Sequence, residues 1–460
     1  MFIKDPETIR CGEQGDIKNE IIMENKTDIK QYYINQFDEF EKSLNGEKSS
    51  DFHQVRKKAI SIFSELAFPT QKDEEWKYTN ISPLLKHNFS PASGKESVLS
   101  ETISKFLFDK MEHSLLVFVN GIYSLELSKL IDIPKGVIVG SIAEALKNNN
   151  PIVKKHLGNY AKNENFFFTT LSSAFIKDGA FIYVPDGIFV EDPIHIIYIT
   201  KSGNEKIVTQ PRNLFVAGKN SQVTIIEHYV SDEGNIYFTN SVTEIVADEN
   251  ANVDHIKLQE ESKKSFHIAR MEVDQERSSN FSSHLISVGA EISRNDFNAR
   301  FNDEDSQCML NGLFMICDEQ LFDAHTMIDH AKPHCNSHEH YKGILQDKSK
   351  GVFNGKVMVR QDAQKTNAFQ ENNTILLSDD AVMNTKPQLE IFADDVKCSH
   401  GATIGKLNDE AKFYLKSRGI GEESATAILI HAFASDVITS IKIPALRDYL
   451  EEIISKRFNA

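Results

Sequence analysis

The 460-residue chain carries 67 acidic and 51 basic residues, which gives a formal net charge of -16 at pH 7. This charge opposes the basic surface that nucleic-acid binding requires, so we expect no DNA or RNA partner. The five cysteines include no Cys-x-x-Cys pair, which disfavours a zinc ribbon or a disulfide framework. No apolar run approaches the roughly 18 residues of a membrane span, and Met1 to Glu20 lacks the apolar segment of a signal peptide, so we expect a cytoplasmic protein without membrane contact.

Residues 1–178 are predicted to form a mostly helical, mixed α/β domain. Apolar residues between positions 25 and 70, such as Tyr33, Phe37 and Phe63, recur at the helical period, and a strand is expected at Leu115 to Val119. Because Met23 is a plausible alternative start, residues 1–22 are interpreted as an unstructured extension, and no function is assigned to Cys11.

Residues 179–405 are predicted to form a parallel β-helix, which makes the protein mainly β. The apolar runs become short and β-branched, and Asn, Asp, Gly and Ser separate them. A weak repeat recurs at roughly 26 to 31 residues, which is typical of solenoids. A β-sandwich is the alternative, but the β region is too long for one sandwich of roughly 100 residues. The repeat falls at Ser221-Gln222-Val223, Ala251-Asn252-Val253, Ser279-Asn280-Phe281, Ser306-Gln307-Cys308, Ser337-His338 and Ala363-Gln364.

Residues 406–460 return to the helical period and are predicted to form a helical C-terminal domain. Gly419-Ile420-Gly421 should separate two helices, with Glu422 and Glu423 in the first turn of the second, near the positive end of its dipole. A solenoid end needs a cap, so this domain is interpreted either as that cap or as a docking surface for another chain.

Cys398 and His400 are the strongest candidate metal ligands. Along a strand, alternation places both side chains on one face, roughly 7 Å apart. Two ligands cannot complete a tetrahedral site. The residues alone therefore leave two possibilities open: an inert core pair, or a site that a second protein completes.

A second group of possible ligands contains His325, His330, His334, Cys335, His338 and His340. It could indicate a zinc-binding structural protein, but only His338 and His340 are expected to share a face, so a structural or solvent-exposed role is favoured.

Two acidic pairs, Asp379-Asp380 and Asp394-Asp395, would supply the acids of a β-helix carbohydrate-active enzyme. Adjacent acids in turns are more often solvated or bonded to backbone. No Walker-type phosphate loop is present, so we expect no ATP hydrolysis by this chain itself.

The chain resembles the SufB/SufD family of SUF iron-sulfur cluster assembly proteins over nearly its whole length. The segment Gln370 to Thr374 lacks the cysteine that SufB members carry there to receive sulfur or hold a nascent cluster, so the resemblance is to the SufD members. The matching segments are Pro69 to Thr79, Val117 to Gly121, Asp178 to Pro193, Pro211 to Leu214, Ser293 to Asp296, Leu310 to Gly312, His340 to Gly343, Ala363 to Thr366, Lys386 to Ile391, Cys398 to Thr403 and Phe413 to Gly419.

This resemblance implies a right-handed parallel β-helix core between two helical domains and a non-catalytic scaffold that supports cluster assembly and iron acquisition. It also implies pairing with SufB through the β-helices and binding of the ATPase SufC by the C-terminal helices, where Phe413, Tyr414 and Arg418 are the expected contacts. His400 would be a ligand for iron or a nascent cluster at the SufB interface, with Cys398 auxiliary and no cofactor in the isolated chain. Without SufB, the β-helix edge could pair with itself as a homodimer.

Overall fold

The computed structural model describes residues 29–44, 51–94, 96–163, 166–203, 205–231 and 234–458. The predicted extension, with Cys11, and the alternative start at Met23 lie outside the described residues. The described chain is mainly β: a parallel β-solenoid of about eight turns with helices on its N-terminal and C-terminal sides. This architecture confirms the predicted fold class.

The N-terminal helices pack around an aromatic core. Tyr33, Phe37 and Phe63 are buried, and the rings of Tyr33 and Phe63 meet edge to face at 6.2 Å. These helices bury one face because their apolar residues recur at the helical period. The helices are α1 (29–43), α2 (Asp51–Glu65), α3 (Ser100–Ser104), α4 (Ile142–Lys147), α5 (Pro151–His156) and α6 (Phe167–Ala174), and the strands are β1 (Ser90–Pro91), β2 (Ser114–Val119), β3 (Ile122–Tyr123) and β4 (Ile138–Ser141).

The solenoid consists of two parallel sheets that face each other, and each coil contributes one strand to each sheet. One sheet, called the even-numbered sheet, contains the even-numbered strands from β8 to β20 together with β1, β4, β5 and β7. The other, called the odd-numbered sheet, contains the odd-numbered strands from β9 to β21 together with β2, β3 and β6. The strands are β5 (Ala180–Val184), β6 (Ile194–Thr200), β7 (Ile207–Thr209), β8 (Arg212–Ala217), β9 (Gln222–Ser231), β10 (Phe238–Ala247), β11 (Asn252–Glu260), β12 (Phe266–Gln275), β13 (Asn280–Ser287), β14 (Ile292–Phe301), β15 (Gln307–Ile316), β16 (Leu321–His330), β17 (Asn336–Leu345), β18 (Lys350–Val359), β19 (Asn367–Leu376), β20 (Val382–Ile391) and β21 (Lys397–Gly405).

One recurring turn explains the sequence repeat. A residue with φ between 54° and 64° precedes a small buried residue and then an Asn or Gln, and these amides are register neighbours. The first four predicted repeats coincide with this turn. The last two, Ser337-His338 and Ala363-Gln364, are wrong, because Cys335 and Thr366 fill the small buried position there. The amides are Gln222, Asn252, Asn280, Gln307, Asn336 and Asn367.

A buried ion pair fastens the N-terminal helices to the even-numbered sheet. Glu244 on β10 lies 3.0 Å from the Arg212 guanidinium, and neither side chain is more than 1% exposed. The same carboxylate accepts hydrogen bonds from the backbone N–H groups of Gly158, Tyr160 and Ala161, at 2.7 to 2.8 Å. The loop after α5 is therefore held on the sheet by one carboxylate.

The two ends of the solenoid differ. At the N-terminal end, β3 pairs antiparallel with β2, and β4 pairs antiparallel with β5. At the C-terminal end, β20 and β21 are the outermost strands, and no strand of the described ranges pairs with their outer edges. This end of the solenoid therefore exposes two strand edges.

The C-terminal helices are α7 (Asp409–Ser417), α8 (Glu422–Ser440) and α9 (Pro444–Phe458). The break between α7 and α8 is where the glycines predicted it, with Gly419 at φ 87°. The prediction that this domain caps the end of the solenoid is wrong: α8 and α9 pack against the outer face of the odd-numbered sheet, where Ile256, Ile286 and Leu313 provide an apolar surface. None of the described helices is both long and apolar enough to cross a membrane.

Candidate metal and partner-binding site

Cys398 and His400 lie on β21, and their side chains point to the interior side of the solenoid. Their register partners on β19 are Ala368 and Gln370, which are 1% and 0% exposed. Register partners in a parallel ladder point to the same face of the sheet. Cys398 is half-buried and His400 is exposed, because no described strand continues the sheet beyond β21. The two candidate ligands therefore lie at the open mouth of the solenoid.

The outer edge of β21 offers unpaired backbone groups at these same residues. The N–H of Lys397 donates to the carbonyl oxygen of Thr366 at 2.9 Å, and alternate residues of a parallel strand bond to opposite neighbours. Cys398, His400 and Ala402 consequently direct their N–H and C=O groups away from β19. An exposed edge of this kind is a template for pairing with another strand.

The outer edge of β20 is interrupted by a proline. The N–H groups of Val382 and Phe392 donate to the carbonyl oxygens of Ser349 and Val359, at 3.0 and 2.8 Å, so alternation places Pro387 in an outward position. A proline there removes no bond of the existing ladder, since its missing N–H would point to the open edge. Of the two strands, β21 therefore has the longer continuous hydrogen-bonding edge.

The surroundings of Cys398 are apolar. Its side chain packs against a small cluster that includes Val357, Ala363 and Ala393. Burial raises the pKa of the Cys398 thiol, and a backbone hydrogen bond from Ala368 only partly opposes this. The Cys398 side chain is therefore less accessible from the mouth of the solenoid than the exposed side chain of His400.

The segment from Gln370 to Thr374 lies on β19. Gln370, Asn372 and Thr374 point into the solenoid and are buried, and the Asn372 amide donates to the Tyr341 carbonyl oxygen at 3.2 Å. No thiol is present in this segment.

The histidine-rich group does not come together. His325 lies on the outer face of the even-numbered sheet, whereas His330 points into the solenoid, where Ser337 contacts it at 2.8 Å. His338 and His340 lie on the outer face of the opposite sheet. The six residues therefore provide no common metal site.

His325 instead holds the N-terminal residues on the solenoid. Its ring nitrogens lie 3.0 Å from Glu75 and 3.0 Å from Asp323. Burial works against the charged imidazole, but Asp323, with support from Glu75, prevails and raises the pKa of His325 to about 9.

Within the described ranges, one other group places three possible ligand atoms within 4.8 Å of one another: Cys317, Asp318 and Asp347. No short motif in the sequence marks this group, because Asp347 lies on a different coil from Cys317 and Asp318. The ammonium nitrogen of Lys263 lies 3.0 Å from the Cys317 sulfur and 2.9 Å from an Asp318 oxygen, so a cationic side chain already contacts this group.

The acidic pairs proposed for glycoside chemistry lie in exposed turns on either side of β20. Asp379 forms an ion pair with Lys406 at 2.5 Å, and Asp395 forms one with Lys365. Each pair already has a lysine partner, and the geometry gives no support to the carbohydrate-enzyme alternative.

The residues predicted to bind a partner form an exposed patch on α7. Phe413 and Tyr414 are 74% and 56% exposed, and no residue of α7 is buried. The Arg418 guanidinium lies 5.1 Å from the centre of the Tyr414 ring, in cation–π geometry. Large exposed aromatic side chains on one helix are typical of a protein-binding surface.

The fold and these surfaces define a class of protein: a parallel β-solenoid with an open terminal coil and exposed aromatic residues on a flanking helix. Two family models match the chain: the SufBD protein N-terminal region over residues 27–196, and the SUF system FeS cluster assembly SufBD core domain over residues 198–433. The chain therefore belongs to the SufB/SufD family of the SUF iron-sulfur cluster assembly system, which confirms the predicted resemblance.

The relatives support the SufD members of this family. The iron-sulfur cluster assembly protein SufD of Escherichia coli is 33% identical over 391 residues, which cover 85% of this chain and 89% of the relative. SufD of Bacillus subtilis is 26% identical over 448 residues, covering 94% and 98%. An iron-sulfur cluster assembly SufBD family protein of Synechocystis is 34% identical over 422 residues, covering 90% and 93%.

Proposed function

We propose that this chain is a non-catalytic scaffold subunit of the SUF assembly complex, which pairs with a SufB subunit and binds the ATPase SufC. The observation that carries the proposal is the open terminal coil, where an exposed strand edge and His400 occur together. Iron and the nascent cluster are the cargo of this site. The chain itself would hold no resident cofactor.

The edge of β21 supports pairing with a second solenoid. Two β-helices of the same family have matching coil dimensions, so their terminal strands can extend each other's sheets. The interruption of β20 by Pro387 makes β21 the principal contact. When SufB is absent, the same edge could pair two copies of this chain.

The position of His400 supports a ligand that the partner completes. The imidazole is exposed at the mouth, and Cys398 is the nearest described candidate ligand on the same strand face. Imidazole binds iron well, and an iron or cluster site needs further ligands that one exposed strand cannot provide. Those ligands would come from SufB, with Cys398 in an auxiliary role.

The exposed patch of α7 supports the docking of SufC. Phe413, Tyr414 and Arg418 are the residue types that contribute most to protein interfaces. Because α7 packs against α8, and α8 lies on the outer face of the odd-numbered sheet, one chain could bind SufC at α7 and SufB at its open end at the same time.

Co-expression with the cognate SufB and SufC, followed by purification through a tag on this chain, tests the proposed function. We expect a three-component complex that hydrolyses ATP and shows iron-sulfur absorbance. Recovery of this chain without either partner would contradict the proposal.

A further inference from the structure

Gln370, the register partner of His400, is held in place by residues of the preceding coil. Its amide nitrogen donates to the Glu339 carboxyl group at 3.2 Å, and the Thr326 hydroxyl donates to the other Glu339 oxygen at 2.5 Å. Burial raises the pKa of Glu339 to about 7, and the two donors limit the rise because they stabilise the carboxylate. The amide nitrogen of Gln370 therefore faces β17, and its oxygen is left for another partner.

A glycine makes room for this amide on the opposite sheet. A Cβ atom at Gly355 would lie 2.2 Å from the Gln370 amide nitrogen, which is far inside van der Waals contact. Gly355 therefore allows the glutamine side chain to occupy the interior of the solenoid at this level.

The other end of the amide has no partner. The oxygen Oε1 of Gln370 is buried and lacks a hydrogen bond within the described part of the chain. A buried acceptor without a donor costs about 1–3 kcal/mol. The neighbouring strand on that side is β21, where the register partner of Gln370 is His400.

We propose that Gln370 is a positioning residue for His400: when the exposed His400 side chain turns inward over the mouth, one ring N–H donates to Gln370 Oε1, which leaves the other ring nitrogen directed toward the partner. Metal-binding histidines almost always donate their second ring N–H to an oxygen, and this fixes the tautomer and the orientation of the ring. The statement that Gln370 positions a metal ligand rests on the proposed function, whereas its hydrogen bond with His400 can be tested in the isolated chain.

The test is ¹⁵N–¹H NMR of the chain labelled at histidine, with the His400 signals assigned from His400→Asn. We expect a ring N–H of His400 that is protected from solvent exchange in the unmodified chain and lost in Gln370→Met. Gln307→Met, on the outer face of the same sheet, is the matched control and should leave the signal unchanged. A His400 ring without a protected N–H in the unmodified chain, which requires no variant, would overturn the proposal.

Gly355→Ala provides a second variant that retains the glutamine. Its Cβ should displace the amide and remove the same N–H signal. A signal that persists in folded Gly355→Ala and Gln370→Met would also refute the hydrogen bond.

Iron binding by the assembled complex separates this proposal from the proposed function. We expect Gln370→Met to weaken the binding of Fe²⁺ about 10- to 100-fold. If His400→Asn does not alter iron binding, the proposed ligand role is wrong, and the NMR result still decides whether Gln370 positions the ring.

Discussion

Replacing Ala402 by proline should block pairing at the open edge and leave the solenoid folded. Ala402 is exposed and directs its N–H away from β19, so the substitution removes no bond of the existing ladder. A backbone hydrogen bond contributes about 1 kcal/mol net, and the proline ring also keeps an incoming strand from the outward groups of His400 and Ile404. Losing about two or three such bonds would cost about 2–3 kcal/mol and raise the Kd roughly 30- to 150-fold.

The assay is calorimetric titration of the purified chain with the cognate SufB. Thermal unfolding of each variant checks that it is folded. Ala402→Val is the control, since it retains the N–H and suits a strand. Thr403→Pro should behave differently, because the Thr403 N–H points to β19 and its loss should unfold the terminal strand. Unchanged affinity of a folded Ala402→Pro variant would refute the assignment of β21 as the pairing edge.

The other predictions concern the docking patch and two networks within the chain. The double variant Phe413→Ala, Tyr414→Ala should weaken SufC binding at least about 10-fold without lowering the melting temperature, since both side chains are exposed. Phe189→Ala, which removes another exposed aromatic side chain, should leave both SufC binding and the melting temperature unchanged. Equal co-purification of SufC with the double variant and the parent chain would contradict the assignment of this patch. Because the pKa of His325 is raised to about 9, the charged imidazole contributes its full stability below about pH 6.5 and loses it as the pH rises through 9. Over this range, urea unfolding should show that the free energy of unfolding falls by up to about 3 kcal/mol more in the parent chain than in His325→Asn. Parallel pH profiles of the two proteins would contradict this. Glu244→Ala leaves the buried Arg212 without its ion-pair partner and should lower the free energy of unfolding, measured by urea unfolding, by about 3–5 kcal/mol. A loss below about 1 kcal/mol would contradict the stabilising role of this ion pair.

The solenoid could be predicted from the sequence because its physics is local. Each coil needs a small buried residue at one turn and alternating side chains along its strands, and both requirements leave a visible pattern. The repeat was misplaced at its last two positions because Cys335 and Thr366 satisfy the same steric requirement as serine or alanine. A pattern that searches for residue types misses such substitutions.

The location of the C-terminal helices could not be predicted in the same way. A helical period shows that a face is apolar, but it does not show which surface receives that face. The receiving surface is the outer face of the odd-numbered sheet, where Ile256, Ile286 and Leu313 lie on separate strands. Their common surface exists only after the coils stack.

The candidate site was predictable only in part. Alternation along one strand was enough to place Cys398 and His400 on the same face. The neighbour relation between Gln370 and His400 depends on the register between coils, and coil lengths vary along this chain. The contact of His325 with Glu75 joins residues far apart in the sequence and follows from the packing of the N-terminal residues on the solenoid.

A comparison of His400→Ala with His338→Ala, in the complex assembled with SufB and SufC, tests the ligand role of His400. His338 is an exposed histidine on the outer face of the same sheet, so it controls for the loss of a surface imidazole. Iron and acid-labile sulfide per purified complex should fall sharply in His400→Ala and stay unchanged in His338→Ala, with both complexes fully assembled. Equal iron and sulfide in the two variants would contradict the assignment of His400 as a ligand that the partner completes.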